Sequence, residues 1–138
     1  MYTPFRRLVP ILVVLVILYA ILPTLMILNP EFLRTEIIRN QPGISNKSIA
    51  FAIVAVSIFT AGIHALFIGL YIWLFAMIRK RHKWARIVLT ILLMIATVGS
   101  FASWSAGPAF YIVIIATNVF HAILAGLLWI PRSVNNFF

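Results

Sequence analysis

The chain has 138 residues, of which 64% are hydrophobic and 9% are charged, and it contains 11 Lys and Arg residues but only two acidic residues. This composition excludes an ordinary soluble domain, in which about 25% of the residues are charged, and the basic residues bracket apolar stretches in a way that argues against a nucleic-acid partner. The absence of cysteine excludes disulfides, zinc-thiolate sites, iron–sulfur clusters and thiol redox catalysis.

The first apolar segment covers residues 8–28 and follows Arg6 and Arg7. A helix needs about 20 residues to cross the hydrocarbon of a membrane, and this segment meets that length. It is too long for a signal peptide and no cleavage site follows it, so we expect a retained anchor. Pro10 belongs in the first turn of this helix, whereas Pro23 should bend its far end.

A loop at residues 29–47 contains a helical signal, with Asn29 as the cap, Pro30 at the first position and Glu31 in the first turn. Pro42 should end this helix. Because its amphipathicity is modest, we expect a short extracytoplasmic helix that rests on the membrane surface or on the bundle. The loop is either a connector or a docking surface for an extracytoplasmic partner.

Three further apolar segments cover residues 48–78, 84–104 and 108–130. The first of these exceeds the hydrocarbon thickness, so we expect it to tilt or to project beyond the membrane. The short connections between the three segments force neighbouring helices to run antiparallel. The sequence therefore predicts one all-α domain over residues 1–138, with four transmembrane helices in an up-down bundle.

Small residues recur every four positions on the second and fourth predicted membrane helices: Ala61, Ala65 and Gly69, then Ala122 and Gly126. This spacing lets helix backbones approach each other closely. We expect these residues mainly at contacts inside the bundle, with a dimer interface as the alternative.

The positions of the basic residues predict the orientation, because Lys and Arg in short loops stay on the cytoplasmic side during insertion. Eight basic residues fall on one side of the predicted bundle: Arg6, Arg7, Arg79, Lys80, Arg81, Lys83, Arg86 and Arg132. We therefore expect both termini in the cytoplasm. These residues are topogenic and lie against anionic lipid headgroups, and contact with an acidic partner is the alternative for the turn at residues 79–86.

The central parts of the predicted membrane helices contain no Asp, Glu, Lys or Arg, which leaves His64, Asn118 and His121 as the intramembrane polar candidates. Counted from the inner helix ends, Asn118 lies near the depth of His64. We therefore expect a hydrogen bond between these two residues, and a hydroxyl or carbonyl partner for His121. In the alternatives, His64 and His121 ligate one haem iron, or contact a quinone or a lipid headgroup.

Three stretches resemble small four-helix membrane proteins of actinobacteria: Pro30-Glu31-Phe32-Leu33-Arg34, Gln41-Pro42-Gly43-Ile44-Ser45, and a basic turn that leads into Trp84-Ala85-Arg86-Ile87-Val88-Leu89-Thr90. The similarity covers most of the first three membrane helices. Those proteins are largely without an assigned function. The resemblance implies a four-helix fold in a bacterial plasma membrane, and it supplies no catalytic residue.

The functional expectation is a non-enzymatic membrane protein, an accessory or scaffolding subunit of a larger membrane assembly. The sequence predicts no catalytic residue, no metal site and no required cofactor. Its expected partners are the lipid bilayer with its anionic headgroups, and other membrane subunits or a second copy of itself. The alternatives are a small oligomeric transporter or channel, and a haem- or quinone-binding membrane protein that uses His64 and His121.

Overall fold

A computed structural model describes residues 5–101, 104 and 107–130 of the chain. The described elements are all helical: α1 (Phe5–Leu28), α2 (Pro30–Asn40), α3 (Asn46–Arg79), α4 (Lys83–Ser100), a 3-10 turn (Pro108–Phe110) and α5 (Tyr111–Trp129). The four longer helices, α1, α3, α4 and α5, are long and apolar enough to cross a membrane. This finding confirms the prediction of an all-α fold with four apolar membrane-length helices.

The helix α1 begins at Phe5, three residues earlier than predicted, so that Pro10 lies in its second turn instead of its first. The helix continues through Pro23 to Leu28. Six of its buried side chains recur every three or four positions: Leu8, Leu12, Leu15, Tyr19, Leu22 and Met26. This spacing places one apolar stripe against the other helices.

The four long helices form a ring in the order α1, α3, α4, α5, because α1 and α4 each pack against both α3 and α5. One buried cluster brings together Leu8 near the start of α1, Ile78 near the end of α3, Ala85 near the start of α4 and Leu128 near the end of α5. Neighbouring helices therefore run in opposite directions. We call this end of the bundle the basic end, since the α3–α4 turn at residues 80–82 lies there, and the opposite end the far end.

The short helix α2 packs against the far end of the bundle. Its Leu33 is buried in a second apolar cluster with Met26 of α1 and Ile114 of α5. The predicted cap, Asn29, occupies the N-cap position, but its side chain makes no capping bond and its amide donates instead to the carbonyl of Leu25 at 3.5 Å. A helix is thus present where the sequence predicts one, and it packs on the far end of the bundle.

The helix α3 is the longest, with 34 residues, which correspond to about 51 Å at 1.5 Å per residue. Its second half packs into the bundle, where Tyr71, Leu74 and Ile78 are buried. Its first half remains in contact with α2, and Ile49 is buried there. The opposite face of this half is exposed, with Phe51 at 75% exposure.

Three of the five small residues expected at internal contacts lie on the outside, so the prediction was wrong for them, whereas Ala61 and Gly126 are half-buried. Ala65, Gly69 and Ala122 are exposed, a Cβ atom placed on Gly69 meets nothing within 4 Å, and one on Gly126 meets only a side chain of its own helix region, at 3.6 Å. The reason is helix rotation. Tyrosine, histidine and leucine side chains point inward from α3 and α5, and they turn the three exposed small residues away from the bundle.

The connection between α4 and α5 differs from the predicted boundaries. The helix α4 ends at Ser100, four residues before the predicted end, and α5 begins at Tyr111 after a 3-10 turn. The hydroxyl of Ser100 donates to the carbonyl of Thr97 at 2.7 Å, an interaction that competes with regular helix geometry. Gly107 enters the 3-10 turn with a φ of 110°, a conformation that glycine adopts without steric cost.

Candidate functional site

A buried polar cluster joins the four long helices. The Nε2 atom of His121 on α5 lies 3.1 Å from the hydroxyl of Tyr19 on α1 and 3.4 Å from that of Tyr71 on α3. The two tyrosine hydroxyls are 3.0 Å apart. The Nδ1 atom of His121 is 3.0 Å from the hydroxyl of Thr97 on α4. We call these four residues the four-helix cluster.

The four-helix cluster satisfies its own hydrogen bonds. A neutral imidazole has one N–H donor and one acceptor nitrogen, and the tyrosine and threonine hydroxyls rotate to match either tautomer of His121. The exposed fractions are 0% for Tyr71, 2% for His121 and 7% for Tyr19, so water is not needed to complete the network. The expectation of a hydroxyl or carbonyl partner for His121 agrees with these contacts.

His64 lies outside this network. Its Nδ1 atom is 2.8 Å from the carbonyl oxygen of Thr60, one turn earlier on α3, and its ring centroid is 5.2 Å from that of Tyr19. The predicted hydrogen bond between His64 and Asn118 was wrong. Asn118 donates through Nδ2 to the hydroxyl of Ser100 at 2.8 Å, because its side chain faces α4 while His64 faces α1.

A cavity of about 500 Å³ lies between the four long helices in the far half of the bundle. This volume falls within the range of sites that bind small molecules. The lining residues with polar side chains are Tyr19, Thr60, His64, Ser100 and Thr117. The remaining described lining residues are apolar, and the lining contains no Lys, Arg, Asp or Glu. The cavity is therefore suited to a neutral, mostly apolar molecule.

Tyr19 connects the cavity to the four-helix cluster, because it belongs to both. Its ring lies between the two intramembrane histidines, with centroid distances of 5.2 Å to His64 and 5.7 Å to His121. Both ring nitrogens of His121 face hydroxyl groups, and a metal would have to displace one of them. The pair therefore fits ligation of one haem iron poorly, and His64 alone of the two lines the cavity.

The described part of the chain contains no group of three or more His, Asp or Glu side chains positioned to hold a metal ion. Of the predicted topogenic residues, five are exposed near the basic end: Arg6, Arg79, Lys80, Arg81 and Lys83. Arg132 and the side chain of Arg7 lie outside the described residues. The exposed group retains the positive charge from which the orientation was predicted.

Arg86 differs from the other basic residues because it is only 8% exposed. Its guanidinium lies 3.8 Å from the ring centroid of Trp129 on α5, a cation–π geometry. The indole N–H of Trp129 donates to the hydroxyl of Thr90 at 2.8 Å. Arg86 thus ties α4 to α5 near the basic end, a contact that the charge pattern alone did not predict.

Tyr19 and Tyr71 were not among the intramembrane polar residues predicted from the sequence, whereas Thr97 is one of the hydroxyls that the sequence places within a membrane segment. A tyrosine within an apolar segment is amphipathic, and its hydroxyl needs a hydrogen-bond partner when it is buried. Tyr19 lies near the middle of the first predicted membrane segment, unlike Tyr111, which is near a predicted boundary between lipid and water. That position was the available signal, and it pointed to a polar contact inside the bundle.

No protein-family model matches this chain, and no curated protein or solved structure is significantly similar to it. The resemblance to actinobacterial membrane proteins therefore stays a prediction.

Proposed function

We propose that this chain is a non-enzymatic integral membrane protein that binds a neutral, lipid-soluble molecule in the cavity between its four long helices. The observation that carries the proposal is the composition of the cavity. Apolar side chains from four helices surround a space of about 500 Å³, and His64 and Tyr19 place polar groups at one side of it. A molecule with an apolar body and one small polar group matches this lining.

The route of entry supports the same function. The first half of α3 carries exposed apolar side chains, among them Phe59 at 67% exposure, and Phe59 also lines the cavity. In a membrane, such a surface faces acyl chains and not water. A lipid-soluble ligand would then pass between α3 and its neighbours from the hydrocarbon itself.

The proposed orientation places both termini and the basic end in the cytoplasm. The exposed Lys and Arg residues of the α3–α4 turn support this sidedness through the retention of basic residues during insertion. The cavity and α2 then lie in the outer half of the membrane, with α2 at the outer surface. The membrane would be a bacterial plasma membrane, as the resemblance implies.

Filling the cavity tests the binding function. A Cβ atom at Gly99 meets nothing within 4 Å, and Gly99 lines the cavity, so the Gly99→Leu side chain starts in open space and adds bulk to the lining. Gly69→Leu is the matched control, because Gly69 is equally unobstructed but lies outside the lining. Lipids extracted from each purified protein are quantified by mass spectrometry per mole of protein.

We expect the wild type and Gly69→Leu to retain one enriched neutral lipid and Gly99→Leu to lose it. A lipid composition equal to that of the bulk membrane in all three proteins would contradict the proposal.

The second candidate function is that of an accessory subunit in a larger membrane assembly. The outward position of Ala65 and Gly69 on α3 favours it, because small residues on a lipid-facing surface let another transmembrane helix approach closely. In the test of this candidate, Gly69→Leu is the disruptive variant and Gly99→Leu is the control. Purification in mild detergent followed by mass spectrometry should recover another chain with the wild type and with Gly99→Leu, and less of it with Gly69→Leu. Recovery of a homo-oligomer alone would count against this candidate.

A further inference from the structure

We propose that the ligand carries a hydroxyl group and that this hydroxyl donates a hydrogen bond to Nε2 of His64. The inference rests on the proposed function, since it assigns the chemistry of the molecule that occupies the cavity. It narrows the ligand to a neutral lipid alcohol or phenol, such as a quinol or a long-chain isoprenoid alcohol.

The first step concerns the position of the proton on the imidazole. The Nδ1 atom of His64 is 2.8 Å from the carbonyl oxygen of Thr60. A carbonyl oxygen only accepts hydrogen bonds, so Nδ1 must carry the proton. In a neutral imidazole the second nitrogen then has a lone pair, and it is an acceptor. The backbone of α3 thus fixes the tautomer of His64.

The second step concerns the partner of Nε2. Among the described residues Nε2 of His64 has no hydrogen-bond partner, although His64 lines the cavity. His64 is half-buried and its ring borders the cavity, and an acceptor left without a partner in an apolar environment costs about 1–3 kcal/mol. A ligand that donates to this nitrogen removes that cost, whereas a ligand that only accepts does not.

Of the other polar side chains in the lining, all but Thr60 are engaged within the protein. Thr117 donates to the carbonyl of Val113 at 2.7 Å, Ser100 bonds to Asn118, and Tyr19 belongs to the four-helix cluster. His64 is therefore the strongest acceptor that faces the ligand.

The third step excludes other ligand classes. A phospholipid phosphate needs a cation or several N–H donors, and the lining contains no Lys or Arg. An oxidised quinone presents carbonyl oxygens, which cannot donate to Nε2. The reduced quinol and an aliphatic alcohol both present an O–H group. The same acceptor nitrogen thus favours alcohols and quinols over ketones, ethers and charged headgroups.

The test compares ligand pairs that differ in the donor. Decylubiquinol is titrated against decylubiquinone, and geranylgeraniol against its methyl ether, into the full-length protein in detergent under anaerobic conditions. Native mass spectrometry gives a Kd for each ligand. For at least one pair we expect the hydroxyl-bearing member to bind about three- to tenfold more tightly, which corresponds to one net hydrogen bond. Discrimination within the quinone pair alone identifies a quinol, and discrimination within the isoprenoid pair alone identifies an alcohol.

His64→Leu should abolish the discrimination, while His82→Leu, in the exposed α3–α4 turn, should leave it intact. Equal affinities within both pairs for the wild-type protein would overturn the inference, and this comparison does not depend on how well any variant folds. Suppose that both members of each pair bind the wild-type protein equally and that neither binds Gly99→Leu. The cavity then binds ligands, and only the assignment of the hydroxyl fails. If every ligand binds the wild type and Gly99→Leu equally well, or binds neither protein, the proposed function itself fails.

Discussion

His121 is the residue on which the largest number of helices converge. An imidazole in a low-dielectric interior is destabilising unless both nitrogens are paired. Here hydroxyls from α1, α3 and α4 supply the partners. A single side chain on α5 is thus linked to every other long helix, and the linkage specifies how the helices are rotated relative to one another.

Replacing His121 by leucine should lower the free energy of unfolding in detergent by about 1–3 kcal/mol, because the hydroxyls of Tyr19 and Thr97 then lose their shared partner. Tyr71→Phe removes the hydroxyl that contacts Tyr19 at 3.0 Å and His121 at 3.4 Å. Both nitrogens of His121 keep a hydroxyl partner in that variant, so the loss should be about 0.6 kcal/mol, the average for hydrogen bonds within membranes. The measurement is a denaturant titration monitored by tryptophan fluorescence. An equal loss in the two variants would show that the cluster does not centre on His121.

At this scale the sequence identified the right residue types but not their partners. His64, Asn118 and His121 stood out because polar side chains are rare in apolar segments. Their pairing depends on helix rotation, which a sequence that is apolar on all sides does not encode strongly, since lipid-facing and protein-facing surfaces use similar residues. Asn118 therefore bonds to Ser100, and the depth argument alone could not distinguish that partner from His64.

The turn between α3 and α4 shows how charge and backbone geometry compete within one element. The N–H of Arg81 donates to the carbonyl of Ile78 at 2.9 Å, and that of His82 donates to Met77 at 3.2 Å, the pattern of a Schellman motif. Arg81 occupies the position that glycine usually fills, with a φ of 67°. The positive charge that favours the inner side of the membrane is thus kept at a steric cost.

Arg81→Gly should raise the free energy of unfolding by up to about 1 kcal/mol, because glycine adopts the left-handed conformation without a Cβ clash. Arg79→Gly is the control. Arg79 is the last residue of α3, where glycine is a poor helix former and should cost up to about 1 kcal/mol. Both variants remove one positive charge. The difference between their thermal unfolding temperatures in the same detergent therefore reports the effect of glycine on the backbone at each position. If Arg81→Gly is as destabilising as Arg79→Gly, the strain at Arg81 is not relieved by glycine.

The boundaries of the helices were predictable where apolar runs meet charges or prolines. The helix α2 begins at Pro30, the residue at which the sequence placed it, since proline is favoured in the first turn. The end of α4 was not predictable in the same way. The apolar run continues beyond Ser100, so hydropathy carries no signal for the end of α4.

The whole molecule divides into a packed half and an open half. Buried leucines, isoleucines and alanines fill the bundle between the four-helix cluster and the basic end, whereas the far half contains the cavity. Within the described residues the four-helix cluster therefore closes the side of the cavity that faces the basic end.

The proposed sidedness can be tested directly because the chain has no cysteine, so single-cysteine variants need no modified background. Gln41→Cys places a thiol in the exposed segment after α2, and His82→Cys places one in the exposed turn at the basic end. Because basic loops are retained in the cytoplasm, a membrane-impermeant maleimide should label Gln41→Cys in intact cells. The same reagent should label His82→Cys only after the cells are permeabilised. Labelling with the opposite pattern would invert the orientation and place the cavity in the inner half of the membrane, so that its ligand would come from the cytoplasmic leaflet.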